Sequence, residues 1–400
     1  AITPEVPLYY TDYATYQDEQ TAAEELLEQI GEEGAVLLKN NGALPFDSDV
    51  RYISMFGAAS VDPCYGGGGS GAANFSSYQT KVTPQMALED AGFKVNPRLV
   101  NFYENEYLPT HPKTATDNSE IKYAYQEPSA EDLEAVEDSY SLYGDAALIF
   151  KYGSGSEGTD KLRDEYDDGV EYTDEENAMD GITSPTDTHN LEFTPREIEL
   201  VNYVADHFDT VILVLNTGNA YEMSWMQDND DIDGILWVGN PGTSGFASLG
   251  KLLNGTVSPS GHLADIYPAD FTQDPSWYNY GDNVGTTGVY QAYDKDGELV
   301  SGIPAGRVNA DQGVPMVEYE EGIYYGYRWY ETASVDGRFD EIAGSDVTLS
   351  EYMPETDVYG NETDDVYYNR YNGVVYPFGF GLSYADFSWT IDSYTVDSTS

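Results

Sequence analysis

An α/β fold, with a mostly parallel sheet sandwiched between helices, is the class the sequence predicts. Three observations point to it. Ala35–Leu38, Ala146–Phe150, Val211–Leu215 and Gly234–Val238 are short, nearly continuous apolar runs, as strands buried on both faces require. Between them lie stretches with helical spacing and helix start and stop signals. Small-residue loops follow several of the runs, and parallel sheets gather their ligand groups at such strand ends.

The elements follow in order. Ala23, Leu26, Leu27 and Ile30 recur at helical spacing among glutamates, which predicts an amphipathic helix over 18–33. Gly31 and Gly34 are expected to end it. The strand at 35–38 closes on the turn Asn40-Asn41-Gly42. Tyr52–Phe56 reads as the next strand and runs into the glycine-rich loop Gly66–Gly71. A helix is expected near Pro84–Asp90, ending at Gly92. The strand at 146–150 leads into the loop Gly153–Gly158. Thr194-Pro195-Arg196-Glu197 is a capping box with proline at the first helical position. It opens a helix that turns Ile198, Val201, Val204 and Phe208 inward, and the strands at 211–215 and 234–238 complete the pattern.

In domain terms, 1–20 reads as an N-terminal arm and 21–270 as the α/β-sandwich domain. Residues 271–385 read as a loop-rich C-terminal elaboration dominated by Tyr, Asp and Gly. Residues 386–400 alternate like the first strand of a following β domain.

Composition bounds the function. Of 400 residues, 40% are apolar and 14% aromatic, enough for a sizeable core. Asp and Glu number 72 against 17 Lys and Arg, a formal net charge of −55. No basic stripe is present to meet nucleic acid or an anionic membrane. Such acidity fits a solvated surface in a saline or extracellular habitat. Cys64 is the single cysteine and has no partner for an intrachain disulfide. No run of 18 apolar residues occurs, so no membrane-spanning helix is expected. The opening Ala1-Ile2-Thr3-Pro4 fits a mature end left by signal cleavage, and the expected location is extracellular or at the cell surface.

Four groups of residues invite chemistry. In Ser154-Gly155-Ser156-Glu157-Gly158-Thr159-Asp160 a glutamate stands between glycines after a buried strand. There the backbone can approach a ligand and a carboxyl can act as a general acid. An ordinary acidic loop has the same pattern. The run Gly66–Gly71, broken only by Ser70, lacks the Lys-Ser/Thr ending of a phosphate loop and fits close backbone approach to a neutral ligand. Asp228–Asp233 and Asp294–Gly297 suggest calcium, but neither has the twelve-residue loop with its closing glutamate, and solvated turns fit them better. His111, His189, His207 and His262 show no i, i+4 pairing, so no metal site is expected.

The order of the motifs adds what none carries alone. Glu33–Asn40 with Ala43-Leu44-Pro45, Asp62–Gly71, Ser156–Asp160, Val214–Gly218, Trp237–Gly242, Asn254-Gly255 with Pro259–Leu263, Tyr319–Arg328 with Tyr330-Glu331-Thr332, and Pro377–Tyr384 follow one another along the chain. Together they resemble the α/β-sandwich domain of glycoside hydrolase family 3, whose last signature normally precedes a fibronectin type III domain.

That resemblance implies retaining hydrolysis of β-glycosides, most often β-glucosides. In such a reaction an aspartate on a TIM barrel attacks the anomeric carbon and a glutamate protonates the leaving oxygen, with the carboxyls about 5 to 5.5 Å apart. Carried onto this sequence, the acid/base is Glu157. Ser70, with Gly69 beside it, is the sugar contact, and Asp160 and Arg163 orient the Glu157 loop. No cofactor is implied. The implied partners are a β-glucoside or oligosaccharide and a barrel, in cis or on a partner chain; a homo-oligomer is compatible. No barrel and no Ser-Asp-Trp nucleophile motif occur here. Starting directly with the sandwich domain resembles the members with inverted domain order, which puts the barrel after Ser400. His262 and Lys161 stand where arginine is common in the family. The rival expectation is a non-catalytic extracellular assembly module built on the same fold.

Overall fold

The computed structural model describes residues 11–67, 81–113, 125–155, 189–279, 321–336 and 373–385, with the single residues 390 and 393. Its centre is a six-stranded sheet of β1 (Val36–Asn40), β2 (Tyr52–Phe56), β3 (Lys94–Val95), β4 (Ala146–Gly153), β5 (Val211–Thr217) and β6 (Gly234–Trp237). Their order is β1-β6-β5-β4-β2-β3. The pairs β3–β2, β2–β4, β4–β5 and β5–β6 are parallel, and β1 joins the β6 edge antiparallel. Two shorter strands, β7 (Tyr267–Pro268) and β8 (Val374–Tyr376), pair antiparallel beside it.

Period-two alternation sends successive side chains of β4 to opposite faces. Ala147 and Ile149 join one core with Val211, Leu213 and Leu215, whereas Ala146, Leu148 and Phe150 join a second core with Ile212 and Val214. Both faces are therefore covered, as the apolar runs predict. Among the described residues the α-helices are α1 (Tyr16–Gly34), α2 (Pro84–Asp90), α3 (Pro97–Asn101), α4 (Ala130–Glu134), α5 (Pro195–Ala205), α6 (Ser224–Gln227), α7 (Ala247–Leu253), α8 (Pro275–Asn279) and α9 (Tyr327–Val335). Leu99, Leu133 and the buried face of α5 fill the first core, and Ala87, Leu88, Leu249 and Leu252 fill the second.

The N-terminal helix departs from expectation. Thr15 closes a capping box with Asp18, so α1 starts earlier than the apolar stripe suggests. Gly31 lies inside it. A Cβ there would stand 2.6 Å from Ser248 Oγ and 2.7 Å from the Gly245 carbonyl, so the glycine serves close approach of α1 to α7. The Ala23–Leu26–Ile30 stripe does not enter the core. No residue of α1 is buried, and Leu26 and Ile30 are 55% and 56% exposed. The helix is fixed through Lys251 of α7, which pairs with Glu28 and Glu32. By contrast Ile198, Val201, Val204 and Phe208 are all buried as expected. The strand expected from residue 386 onward falls outside the described residues.

Candidate active site

The strand order sets the location. The first parallel strand, β2, has its sequence successor β3 on one side and β4 on the other. The chain thus winds in opposite directions from the β2/β4 boundary, and open α/β sheets bind ligands in the crevice at the carboxyl ends of strands beside such a reversal. The glycine-rich loop leaves from β2, and the segment carrying the glycine-flanked glutamate leaves from β4.

Glu157, Ser70, Gly69, Asp160 and Arg163 lie outside the described residues. The stems that lead to them are described. After Phe56, Gly57 adopts φ +86°; a Cβ there would lie 2.4 Å from the Phe150 carbonyl, so only glycine lets the chain pass so close to β4. Its N–H donates to the Tyr103 hydroxyl at 2.8 Å. The next N–H, from Ala58, donates to both oxygens of buried Glu127 at 3.0 Å. The loop is then held by Asn216 at the end of β5. Asn216 Oδ1 accepts the Cys64 N–H at 2.6 Å, while its Nδ2 donates to the carbonyls of Cys64 at 2.9 Å and Gly239 at 2.6 Å. One fully buried amide thereby ties the loop after β2 to the loop after β6.

Beneath the loops Lys151 of β4 meets Glu197, with Nζ 2.6 and 2.9 Å from the two carboxylate oxygens. Both side chains are nearly fully buried, and Nζ also lies 4.5 Å from the centre of the Tyr221 ring. Glu197 accepts the Thr194 N–H at 2.9 Å as well, so the capping residue of α5 is also the counter-ion of the sheet's central lysine. Glu127, Lys151 and Glu197 line a cavity of about 10 Å³. That is room for one water and far too little for a sugar.

A second polar group lies where the chain enters α5. His189, Glu192 and Glu222 are buried with ligand atoms within 4.8 Å of one another, a grouping that histidine spacing did not reveal. His189 Nε2 lies 3.1 Å from Glu222 Oε1, which also accepts the Phe271 N–H at 2.7 Å. Burial raises the Glu222 pKa, offset in part by the bond to His189. Leu191 N–H lies 3.2 Å from His189 Nδ1, which orients the ring with Nε2 toward Glu222.

The calcium-like run at 228–233 has a cation of its own. The buried Lys39 ammonium donates to the carbonyls of Met226, Gln227 and Asn229 at 3.3, 2.9 and 2.7 Å, and burial lowers its pKa despite Asp230, Asp228 and Asp233 nearby. The run at 294–297 lies outside the described residues. Lys39, Lys151 and Asn216 share one sequence signal, a polar residue inside a buried apolar strand.

Comparison with known proteins agrees with this architecture. The model of the glycosyl hydrolase family 3 C-terminal domain matches residues 35–327. Beta-glucosidase A of Butyrivibrio fibrisolvens is 26% identical over 89% of this chain and 34% of its own length. The beta-glucosidase of Ruminococcus albus is 25% identical over 84% and 29%. The chain thus spans about a third of the length of these curated relatives. Among solved structures, beta-glucosidase 3B of Thermotoga neapolitana in complex with glucose aligns with a TM-score of 0.58 at 24% identity, covering 92% of this chain and 39% of that one. A beta-glucosidase from Paenibacillus barengoltzii aligns with a TM-score of 0.58 at 22% identity, covering 94% and 31%. The family match takes in well over half of the chain and begins one residue before β1; this protein belongs to glycosyl hydrolase family 3, of which it carries the C-terminal domain.

Proposed function

We propose that this domain supplies the acid/base of a retaining β-glycosidase acting on terminal β-glucosides, with Glu157 as the acid/base. The nucleophile is an aspartate on a barrel outside these 400 residues. The supporting observation is the strand order: Gly67 and Gly155, the last described residues before the glycine loop's Ser70 and before Glu157, follow the two strands that flank the reversal point. The relatives named beta-glucosidases give the substrate class.

In this reading Glu157 protonates the glycosidic oxygen as the aspartate attacks. It then takes a proton from the water that hydrolyses the glycosyl-enzyme. Ser70 contacts a sugar hydroxyl, Gly69 lets the backbone come close, and Asp160 and Arg163 orient the glutamate. The −55 net charge supports a location outside the cell, where a strongly solvated surface is useful.

The test is Glu157→Gln in the full-length protein. Turnover of an aryl β-glucoside is expected to fall about 10²- to 10⁴-fold. Azide or formate should restore part of it by attacking the glycosyl-enzyme without needing a base. Unchanged turnover would remove Glu157 from the role.

A further inference from the structure

Beside the two loop stems lies a polar group whose pairing of Asp62 with Lys113 neither the family signatures nor the proposed acid/base accounts for. Asp62 follows the short turn after β2. Its Oδ2 accepts a hydrogen bond from the Tyr125 hydroxyl and lies 3.3 Å from the Lys113 ammonium. Lys113 Nζ stands 4.3 Å from the centre of the Tyr152 ring and 4.9 Å from that of Tyr125. The two rings meet edge to face at 5.6 Å. Tyr152 is the last residue but one of β4, so the group sits at the carboxyl end of the two strands that flank the reversal point.

An exposed ion pair contributes little and needs no function. This pair is built differently. The Lys113 side chain is only 18% exposed, held over two ring faces, whereas that of Asp62 is 47% exposed. Among the described residues no hydrogen bond reaches Asp62 Oδ1. The result is a fixed donor beside a carboxylate whose Oδ1 accepts from none of the described residues, at the carboxyl ends of the two strands that flank the reversal point. Adjacent hydroxyls on a sugar ring each donate and accept, so one can donate to Asp62 Oδ1 while its neighbour accepts from Lys113. The pair is neutral as a unit, which suits a neutral polyol. An anion would meet the Asp62 carboxylate within a chain of net charge −55.

We infer that Asp62 and Lys113, held by Tyr125 and Tyr152, form a contact site for adjacent hydroxyls of a pyranose ring in the crevice between β2 and β4. The inference rests on the β-glycosidase reading and adds a substrate-binding pair to it. The experiment uses the full-length protein with Asp62→Asn and with Lys113→Met, which keeps the aliphatic stem against the rings. KM and kcat are measured on p-nitrophenyl β-glucoside and on cellobiose. KM is expected to rise about tenfold, the size of one lost charge-assisted hydrogen bond, with kcat within about twofold. A rise with both substrates assigns the hydroxyls to the sugar whose bond is cleaved; a rise with cellobiose alone assigns them to the leaving-group sugar. Unchanged KM on both, or a fall in kcat alone, overturns the pair. If Asp62→Asn does not fold, Lys113→Met carries the test by itself. If the unmodified protein turns over neither substrate, the glycosidase reading fails separately. The pair is then read by calorimetric titration with cellobiose, where Lys113→Met should bind about tenfold more weakly and absent or equal binding overturns it.

Discussion

Helices α1 and α5 both begin at a threonine that closes a capping box, yet α5 buries six of its residues against the sheet and α1 buries none. The local signals are equivalent: Thr15 with Asp18 in one, Thr194 with Glu197 in the other. What differs is the second partner of the third helical residue. Glu197 faces the buried ammonium of Lys151, whereas Asp18 faces solvent. Capping chemistry thus shows where a helix starts, and the neighbouring layer decides how much its residues weigh.

The largest test of that contrast replaces the two capping carboxylates. Glu197→Ala leaves Lys151 buried without its counter-ion and removes half of a cap. The expected loss is about 3–5 kcal/mol, as for other broken buried pairs. Asp18→Ala removes only an exposed cap partner and should cost about 1 kcal/mol or less. Denaturant midpoints at constant m-value measure both. Equal losses would break the comparison.

A middle effect is expected at the seam between α1 and α7. Alanine is normally the better helix former by about 1 kcal/mol, so Gly31→Ala in a free helix would stabilise. Here the new methyl meets the Gly245 carbonyl at 2.7 Å, and backbone cannot swing away as a side-chain tip can. A net loss of about 1–3 kcal/mol is expected from the overpacking. A gain in melting temperature would show that α1 does not rest on α7 at this position.

These cases also mark how far the sequence could be read. Buried strands announce themselves because sheets covered on both faces tolerate little but apolar residues, and β2, β4, β5 and β6 were legible for that reason. The antiparallel direction of β1 was not, since an apolar run carries no arrow. Within the site, Asn216 was visible as a polar interruption of an apolar strand. Asp62 opens a motif read from the sequence, but its pairing with Lys113 was not legible, because the two meet across a gap of some fifty positions and only the fold brings them together. The same holds for Glu222, far in sequence from His189.

The His189–Glu222 contact fixes the chain just before α5 and gives a pH test of that entrance. Burial raises the Glu222 pKa above 4.5, so the folded state holds a proton that the unfolded chain releases near that value. The sign follows: this group's contribution to stability is present at low pH and is lost as pH rises from 4.5 toward the raised value. Glu222→Gln cannot ionise and keeps an acceptor for the Phe271 N–H. Its stability relative to the unmodified protein should therefore improve as pH rises through that window, measured by urea unfolding at matched ionic strength. A difference that does not change with pH would show that Glu222 ionises as freely in the folded protein as in the unfolded chain.

The smallest effect is expected on the exposed stripe of α1. Leu26 is 55% exposed, so truncation to alanine removes little apolar surface from contact with the core, and alanine is at least as good a helix former. Leu26→Ala should change the stability of this 400-residue chain by no more than about 0.5 kcal/mol. Leu200→Ala, the same chemical change on the buried face of α5, should cost about 3 kcal/mol through lost burial and the cavity it leaves. Measured side by side, the two substitutions separate local helix signals from packing, because both leucines sit in helices opened by a capping box and only one is buried against the sheet. A loss of more than about 1 kcal/mol at Leu26 would mean that something covers this face, and the contrast between the two helices would then lie in which surface covers them rather than in whether one does.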